Sequence, residues 1–333
     1  MAARQSAAND PRETVSVIAT VLNEGESIQR LMESLVVQTR PPDEVVIVDG
    51  GSRDDTVAVI ERYADRLPLR VLVCPGANIS QGRNAAVRAA AGAIIASTDA
   101  GVRLDAAWLE RITAPFAADP ATAVVSGFFV PDPHTPFEAA MGATVLPRVD
   151  EIDPAAFLPS SRSVAFRREA FEAVGGYPEW LDYCEDLVFD FRLRARYGRF
   201  AWSPGALAYF RPRASLRAFF WQYYRYARGD GKAGLWWRRH LVRYATYLAL
   251  GPLLMVGGAS HRRVWWLLLV AGAAAMFSRP YRRLARECTP RELVRAGVWV
   301  PVIRVTGDVA KMLGYPVGLW WRWRNHPPDW QAP

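Results

Sequence analysis

Carboxylates at the ends of apolar runs are the first residues in this chain that can do chemistry. Asp99 closes the run 93–98, Asp49 closes 45–48, and Asn23-Glu24 follow soon after 15–20. Open α/β sheets bind ligands outside the carboxyl ends of their strands, so Asn23, Glu24, Asp49 and Asp99 are expected along one edge. A carboxylate placed like Asp99 can hold a divalent cation against a nucleotide diphosphate. The glycines of Asp49-Gly50-Gly51-Ser52 allow close backbone approach and positive φ, while Asp49 also suits a turn closed on its own loop. A second centre is the adjacent pair Glu185-Asp186, which opens the apolar series Leu187, Phe189, Phe191 and Leu193. A helix N-cap, with Asp190 as a solvated neighbour, accounts for Asp186 alone better than for a pair.

Positioning these groups falls to short β-branched runs that alternate with amphipathic segments, the pattern of βαβ units on a parallel sheet. Strands are expected at 15–20, 45–49, 69–73 and 93–98, and helices at 27–38, 56–63 and 83–91, with Asp54 or Asp55 capping the second. The proline-rich stretch 123–176 is expected to be irregular and to lie over the sheet edge on the substrate side. Residues 215–228 read as an amphipathic helix bearing Trp221, Gln222, Tyr224 and Arg225, ending in a turn at Gly229-Asp230-Gly231-Lys232.

Charge divides the chain of 333 residues unevenly. Residues 1–213 hold 22 basic and 28 acidic side chains, net −6, whereas residues 214–333 hold 19 and 5, net +14. The basic part is also apolar and rich in Trp, and its Arg clusters alternate with uncharged runs. That alternation suits an anionic membrane surface and argues against nucleic acid as the partner. Uncharged runs at 244–259 and 264–277 are short of the roughly 20 residues a bilayer core needs, so they read as a tight transmembrane hairpin or an interfacial pair. Arg238, Arg239 and Arg243 before them and Arg279, Arg282, Arg283 and Arg286 after them outnumber the two arginines of the loop 260–263, which puts both flanks in the cytoplasm. The run 298–321 contains Arg304, Asp308 and Lys311 and is expected to lie on the surface or pack against the other helices. The odd, scattered set Cys74, Cys184 and Cys288 implies reduced thiols, with Cys184 buried and neutral. Residues 1–13 lack the apolar core of a signal peptide and read as a disordered lead-in.

Seven short elements in order now carry a resemblance: Thr20-Val21-Leu22-Asn23-Glu24, Asp49-Gly50-Gly51-Ser52, Gly82-Arg83-Asn84, Asp99-Ala100-Gly101, Gly175-Gly176-Tyr177, Glu185-Asp186 and Gln222-Tyr223-Tyr224-Arg225-Tyr226. Over residues 14–232 the chain resembles a family 2 inverting glycosyltransferase. The resemblance implies an α/β fold of the GT-A type, a Rossmann-like mixed sheet with helices on both faces, joined to a C-terminal α-helical membrane region. It implies a lead-in at 1–13, a catalytic domain at 14–213 with a donor half 14–120 and an acceptor half 121–213, an interface helix and linker at 214–240, membrane-associated helices at 241–323 and a tail at 324–333. It also implies that Thr20, Asn23, Glu24, Asp49, Gly51, Arg83, Asp99, Gln222 and Arg225 bind the nucleotide-sugar donor, that Gly176 and Trp180 lie on the acceptor side, and that Asp186 is the general base with Glu185 beside it. Trp180 equally suits core packing.

Two departures from the family pattern bear on a metal. The second acid of Asp-x-Asp is Gly101 here, and Tyr209-Phe210-Arg211 stands where many relatives place a metal-binding histidine. The divalent cation, Mg²⁺ or Mn²⁺, that Asp99 would otherwise hold is therefore expected to matter little. Arg211, Arg213, Arg225, Arg228 and Lys232 are expected to supply positive charge in its place; no organic cofactor is expected. The implied enzyme sits at the inner membrane with its catalytic domain facing the cytoplasm and adds sugar to a lipid-linked or envelope glycan acceptor without processive polymerisation. Its alternatives are a degenerate membrane scaffold of the same fold and a sugar nucleotidyltransferase; the latter needs a Lys-bearing Gly-rich loop, and residues 20–24 hold no Lys.

Overall fold

The computed structural model describes residues 13–259 and 263–330, so the expected lead-in before Glu13, residues 260–262 of the two-arginine loop and the last three residues of the tail lie outside it. Strands β1 (Val15–Val21), β2 (Glu44–Asp49), β3 (Leu69–Val73) and β4 (Ile94–Ser97) alternate with helices α1 (Gln29–Val36), α2 (Thr56–Glu61) and α3 (Ile79–Ala89). Then come β5 (Val102–Leu104), α4 (Trp108–Ala118), β6 (Val124–Pro131), α5 (Pro136–Val145), β7 (Val164–Arg167), α6 (Arg168–Ala173), α7 (Glu185–Tyr197) and β8 (Ala201–Phe210). The eight strands form one sheet in the order β3-β2-β1-β4-β7-β6-β8-β5. Its first four strands are parallel, as the βαβ pattern requires, and β7 joins β4 antiparallel, which makes the sheet mixed.

The chain divides into two compact units, the first made of residues 1–129, 153–179 and 189–209. Its core joins Ile18, Val46 and Ile95 of the strands to Ala86 and Val87 of α3 and to Phe166, Phe171, Tyr177 and Phe189. Burial of each large apolar side chain of this kind contributes about 1.5–3 kcal/mol. Helix α3 starts four residues earlier than the pattern of apolar residues suggests. Asn78 caps it: its side chain accepts from Gln81 N (2.9 Å) while Gln81 Oε1 accepts from Asn78 N (3.0 Å), a reciprocal capping box. Gly82 lets this helix lie on β1, because a β-carbon there would come within 2.9 Å of Thr20 Cγ2. The stretch expected to be irregular instead carries β6, α5, β7 and α6. Pro136 sits in the first turn of α5, where its missing N–H costs nothing, and so does not interrupt the helix.

The second unit comprises residues 130–152, 180–188 and 210 onward. It holds α8 (Leu216–Ala233), α9 (Trp237–Tyr244), a π-helical stretch (Ala245–Leu250), α10 (Gly251–Ala259), α11 (Arg263–Glu287), α12 (Pro290–Gly297) and α13 (Trp299–Asn325). Phe137, Met141, Phe219, Leu284, Val300 and Ile303 form its core. The turn expected at 229–232 is absent, and α8 runs through it to a left-handed stop at Gly234. Those glycines serve close packing. A β-carbon on Gly229 would meet the Tyr183 carbonyl at 2.5 Å, and one on Gly231 would strike the backbone of Tyr315 and Gly318. Gly314 and Gly318 of α13 reciprocate, since β-carbons there would collide with the carbonyl oxygens of Tyr224 and Arg228. Helices α8 and α13 thus meet backbone to backbone, and the run 298–321 is a packed helix as expected.

The segment Trp237–Ala259 is long and apolar enough to cross a membrane, and only 11% of its most apolar window is buried. Gly318→Val is expected to destabilise the protein by about 1–3 kcal/mol in chemical denaturation through overpacking, whereas Gly272→Ala, with nothing within 4 Å of the new β-carbon, leaves the unfolding free energy within about 0.5 kcal/mol of wild type. Equal midpoints for the two variants would contradict the glycine contact.

Candidate active site

Along the carboxyl edge of the parallel strands, the first unit gathers the loops that follow β1, β2 and β4. Asn23 takes a left-handed conformation (φ 53°), its N–H donates to Ser52 Oγ (2.8 Å), and its Oδ1 accepts from Arg53 N (2.9 Å). The Glu24 N–H donates to Thr56 Oγ1 (2.9 Å), and its carboxylate accepts from Ser27 Oγ (2.7 Å). Two loops of different strands are thereby sewn together beside Thr20. Asp49 is buried, and its carboxylate accepts from Gly51 N (2.9 Å), Ser52 N (2.8 Å) and Ser52 Oγ. It closes its own turn, which Gly51 makes possible with φ 96° and an approach to Pro75 that a side chain would block. Asp54 bonds the Thr56 N–H (3.1 Å) at the start of α2, the capping role expected of it or Asp55.

Asp99, just past β4, lies between two guanidinium groups. Arg83 Nη2 reaches its Oδ1 at 2.8 Å and Arg162 Nε its Oδ2 at 3.4 Å. Arg83 is one turn inside α3, 3% exposed, with its guanidinium 5.4 Å from the centre of the Tyr177 ring. Burial works against charge on Asp99, but the attraction of Arg83 and Arg162 outweighs it and holds the carboxyl below its ordinary value of 3.8. The sequence reading missed Arg162. The antiparallel ladder pairs Ser97 with Val164, and Thr98 Oγ1 donates to the Arg162 carbonyl (3.1 Å), so two further steps along β4 bring Asp99 beside Arg162. What signal there was is the short apolar run Val164-Ala165-Phe166, a four-residue strand within the proline-rich stretch. Gly176 belongs to the same assembly: at φ 70° it passes against Phe171 and Asn84, and Asn84 grips the next residue, donating to the Tyr177 carbonyl and accepting from its N–H (2.9 Å each).

In the second unit, Glu185 and Asp186 occupy the first turn of α7 rather than one of them serving as a cap, and the helix dipole favours both charges there. Glu185 is buried, and Asp186, half-buried, accepts from Leu187 N (2.9 Å). Asp190, expected to be solvated, is 2% exposed, because it falls one turn along on the inward side of α7. The loop that delivers the pair is held by α8. Asp182 binds Arg228 and Lys232 (2.7 Å to the latter), Cys184 at φ 65° lies against the Tyr226 carbonyl (3.3 Å) and Asp230 (3.4 Å), and Arg225 Nη1 donates to Tyr183 Oη (3.3 Å). Burial, then the Asp230 carboxylate, pushes the Cys184 thiol well above its ordinary range, so it is the neutral thiol expected. Gln222 donates to Tyr226 Oη (2.9 Å), one turn further along the same helix. Trp180 stacks on Trp321, ring centres 6.2 Å apart, so one of its faces is already covered.

The cations expected to stand in for a metal are distributed differently. Arg211 pairs with buried Glu138 (2.9 Å), and Arg228 and Lys232 are taken by Asp182. Among the described residues no three His, Cys, Asp or Glu side chains converge as a metal-holding group. Position 101 offers no side-chain ligand, and both oxygens of Asp99 face arginines. This donor set does not fit a divalent cation; guanidinium groups beside a sheet's carboxyl edge fit an anion.

Comparison with known proteins bears on the family and the fold. Residues 16–175 match the family model described as Glycosyl transferase family 2. The succinoglycan biosynthesis protein ExoA of Rhizobium meliloti (strain 1021) is 31% identical over 273 residues, which cover 76% of this chain and 80% of that protein. The validoxylamine A glucosyltransferase of Streptomyces hygroscopicus subsp. limoneus is 30% identical over 127 residues, 37% of this chain and 28% of that one. Among solved structures, the mannosyltransferase PcManGT from Pyrobaculum calidifontis, determined in complex with GDP-Man and Mn²⁺, matches with a TM-score of 0.55 at 19% identity, over 94% of this chain and 88% of that chain. That likeness is one of fold, and it is the fold the sequence implied.

Asp99→Asn leaves two partly buried guanidinium groups without their counter-charge. It is expected to cost about 3 kcal/mol or more at pH 7 by urea denaturation. Because the folded-state pKa of Asp99 is depressed, its contribution is present above 3.8 and lost as the pH falls further, so the gap between the two proteins narrows toward pH 3. A gap independent of pH would show that charge is not the cause.

Proposed function

Because this chain belongs to glycosyl transferase family 2 and has the GT-A fold, we propose that it is a membrane-bound inverting transferase acting on a nucleotide-diphosphate sugar and a lipid-linked or envelope glycan acceptor. The observation that carries this reading is the Arg83–Asp99–Arg162 cluster beyond β4. Asp99 is a positioning residue in it, orienting two guanidinium groups that a diphosphate can share. As the acceptor hydroxyl attacks the anomeric carbon, Asp186 takes its proton, the bond to the nucleotide diphosphate breaks on the opposite face, and the leaving group's growing charge is met by Arg83 and Arg162. Gln222 and Arg225 of α8 are assigned to donor binding as well. Direct displacement of this kind inverts the anomeric centre and needs no covalent enzyme intermediate. No step is assigned to a metal, since the side chains present do not fit one.

Asp49 releases part of its own turn to accept from a base N–H, with Thr20, Asn23, Glu24 and Gly51 around it. Glu185 orients the acceptor, and the open face of Trp180 stacks on an acceptor sugar. The relative's part in succinoglycan biosynthesis supports a glycan as the product class, in line with an envelope glycan acceptor. Membrane attachment is supported by Trp237–Ala259 and by the exposed Leu253, Val256, Trp266, Leu267 and Val270 on α10 and α11, apolar surface of a kind that soluble monomers rarely expose. The arginines flanking these helices support a cytoplasmic side of the inner membrane for the catalytic residues.

Membranes carrying the wild-type protein, incubated with a panel of radiolabelled UDP-, GDP- and dTDP-sugars, are expected to label an organic-extractable acceptor from one donor, with one or few sugars added. Asp186→Asn is expected to lower that rate by about 10²–10⁴ while nucleotide binding stays within about threefold of wild type. Equal incorporation by both proteins removes Asp186 as the base, and incorporation from no donor favours a scaffold.

A further inference from the structure

The second unit contains a cavity of about 460 Å³ between α9–α10, α11 and α13, within the size range of small-molecule sites. Its composition is graded along the helices. Arg239 and Arg243 stand on α9, and Arg304 and Asp308 on α13. Arg243 Nε meets Asp308 Oδ1 at 2.8 Å and Arg304 Nε meets Oδ2 at 3.2 Å, so this end carries two guanidinium groups on one carboxylate, with Arg239 a third basic side chain in the cavity wall. Over the next turns the same cavity is walled by Leu250, Leu254, Leu269 and Met276. A slot with an apolar body and a cationic end, formed by helices whose outer faces are themselves apolar, has the chemistry to hold a lipid by its chain and its phosphate at once.

Resting on the lipid-linked acceptor reading above, we propose that this slot binds the acceptor's carrier: one long apolar chain along Leu250, Leu254 and Leu269, with its phosphate against Arg239, Arg243 and Arg304. Asp308, which also accepts from Tyr247 Oη (3.0 Å), holds Arg243 and Arg304 in place and leaves an excess of positive charge at the mouth. Residue 272 is glycine with nothing within 4 Å of a β-carbon, so the slot has room on the α11 side for a chain, and a larger residue there fills it without disturbing the helices.

The test uses the full-length protein in nanodiscs of uncharged phosphatidylcholine, with a diazirine-bearing polyprenyl phosphate as probe. Photolabelling is expected on peptides within 242–277. Gly272→Leu and Ala273→Trp, checked for unchanged melting, and Arg304→Gln are each expected to reduce it about tenfold, the loss of one good contact. Unlabelled polyprenyl phosphate displaces the probe, whereas polyprenol and phosphatidylglycerol do not. Label elsewhere, undiminished label in Gly272→Leu and Ala273→Trp, or equal displacement by phosphatidylglycerol, a bulk-lipid result, each overturns the proposal. Transfer measured alongside separates it from the broader reading. Transfer to a prenyl-linked acceptor with no label in the slot removes the slot alone; label in the slot with transfer only to soluble acceptors removes the lipid-linked acceptor and with it the carrier assignment.

Discussion

The donor edge of this molecule depends on a carboxylate held between two guanidinium groups. Arg83 and Arg162 hold the Asp99 carboxyl below its ordinary range against the cost of burial, and Asp99 in turn gives both guanidinium groups a counter-charge at the end of β4. Each member reaches the cluster by a different backbone route. The capping box at Asn78 fixes the start of α3, Gly82 allows that helix to lie on Thr20, and the antiparallel ladder between β4 and β7 sets Arg162 opposite. Remove any of these and the arginines lose their aim before they lose their charge.

A comparable constraint governs the acid pair. The loop before α7 is held by α8 through Asp182, Tyr183 and Cys184, and α8 is seated against α13 by glycines on both helices. The backbone of the second unit therefore sets where Glu185 and Asp186 stand. Along the same helices a run of polar contacts, from Cys184 to Asp230 to His240 to Arg243 to Asp308, continues toward the slot proposed for the lipid carrier.

Much of this was legible in the residues. The four parallel strands fall within two residues of the β-branched runs; β1, β2 and β4 are buried almost throughout, so their apolar runs mark their extent, while β3 lies at the sheet's edge. The order of motifs gave the fold and the enzyme class. What stayed hidden depended on tertiary contact. Gly229 and Gly231 carry the composition of a turn, and only the neighbouring backbone explains why they are helical. Asp190 looks solvated in a charged sequence but is buried by the roll of α7. Arg162 sits in a proline-rich stretch where the strand that delivers it is too short to announce itself, and its partner is 63 residues away.

The central claim is that paired arginines, rather than a metal, receive the charge of the leaving nucleotide diphosphate. The measurement that bears on it most directly is the single-turnover transfer rate of the wild type and of Arg162→Gln, each with EDTA and with added Mn²⁺. The wild-type rate is expected to be unchanged by either addition and the variant to be about 10²-fold slower in both, the loss of one preorganised charge at the transition state. Abolition of wild-type transfer by EDTA with restoration by Mn²⁺, or a variant as fast as the wild type, would contradict the account.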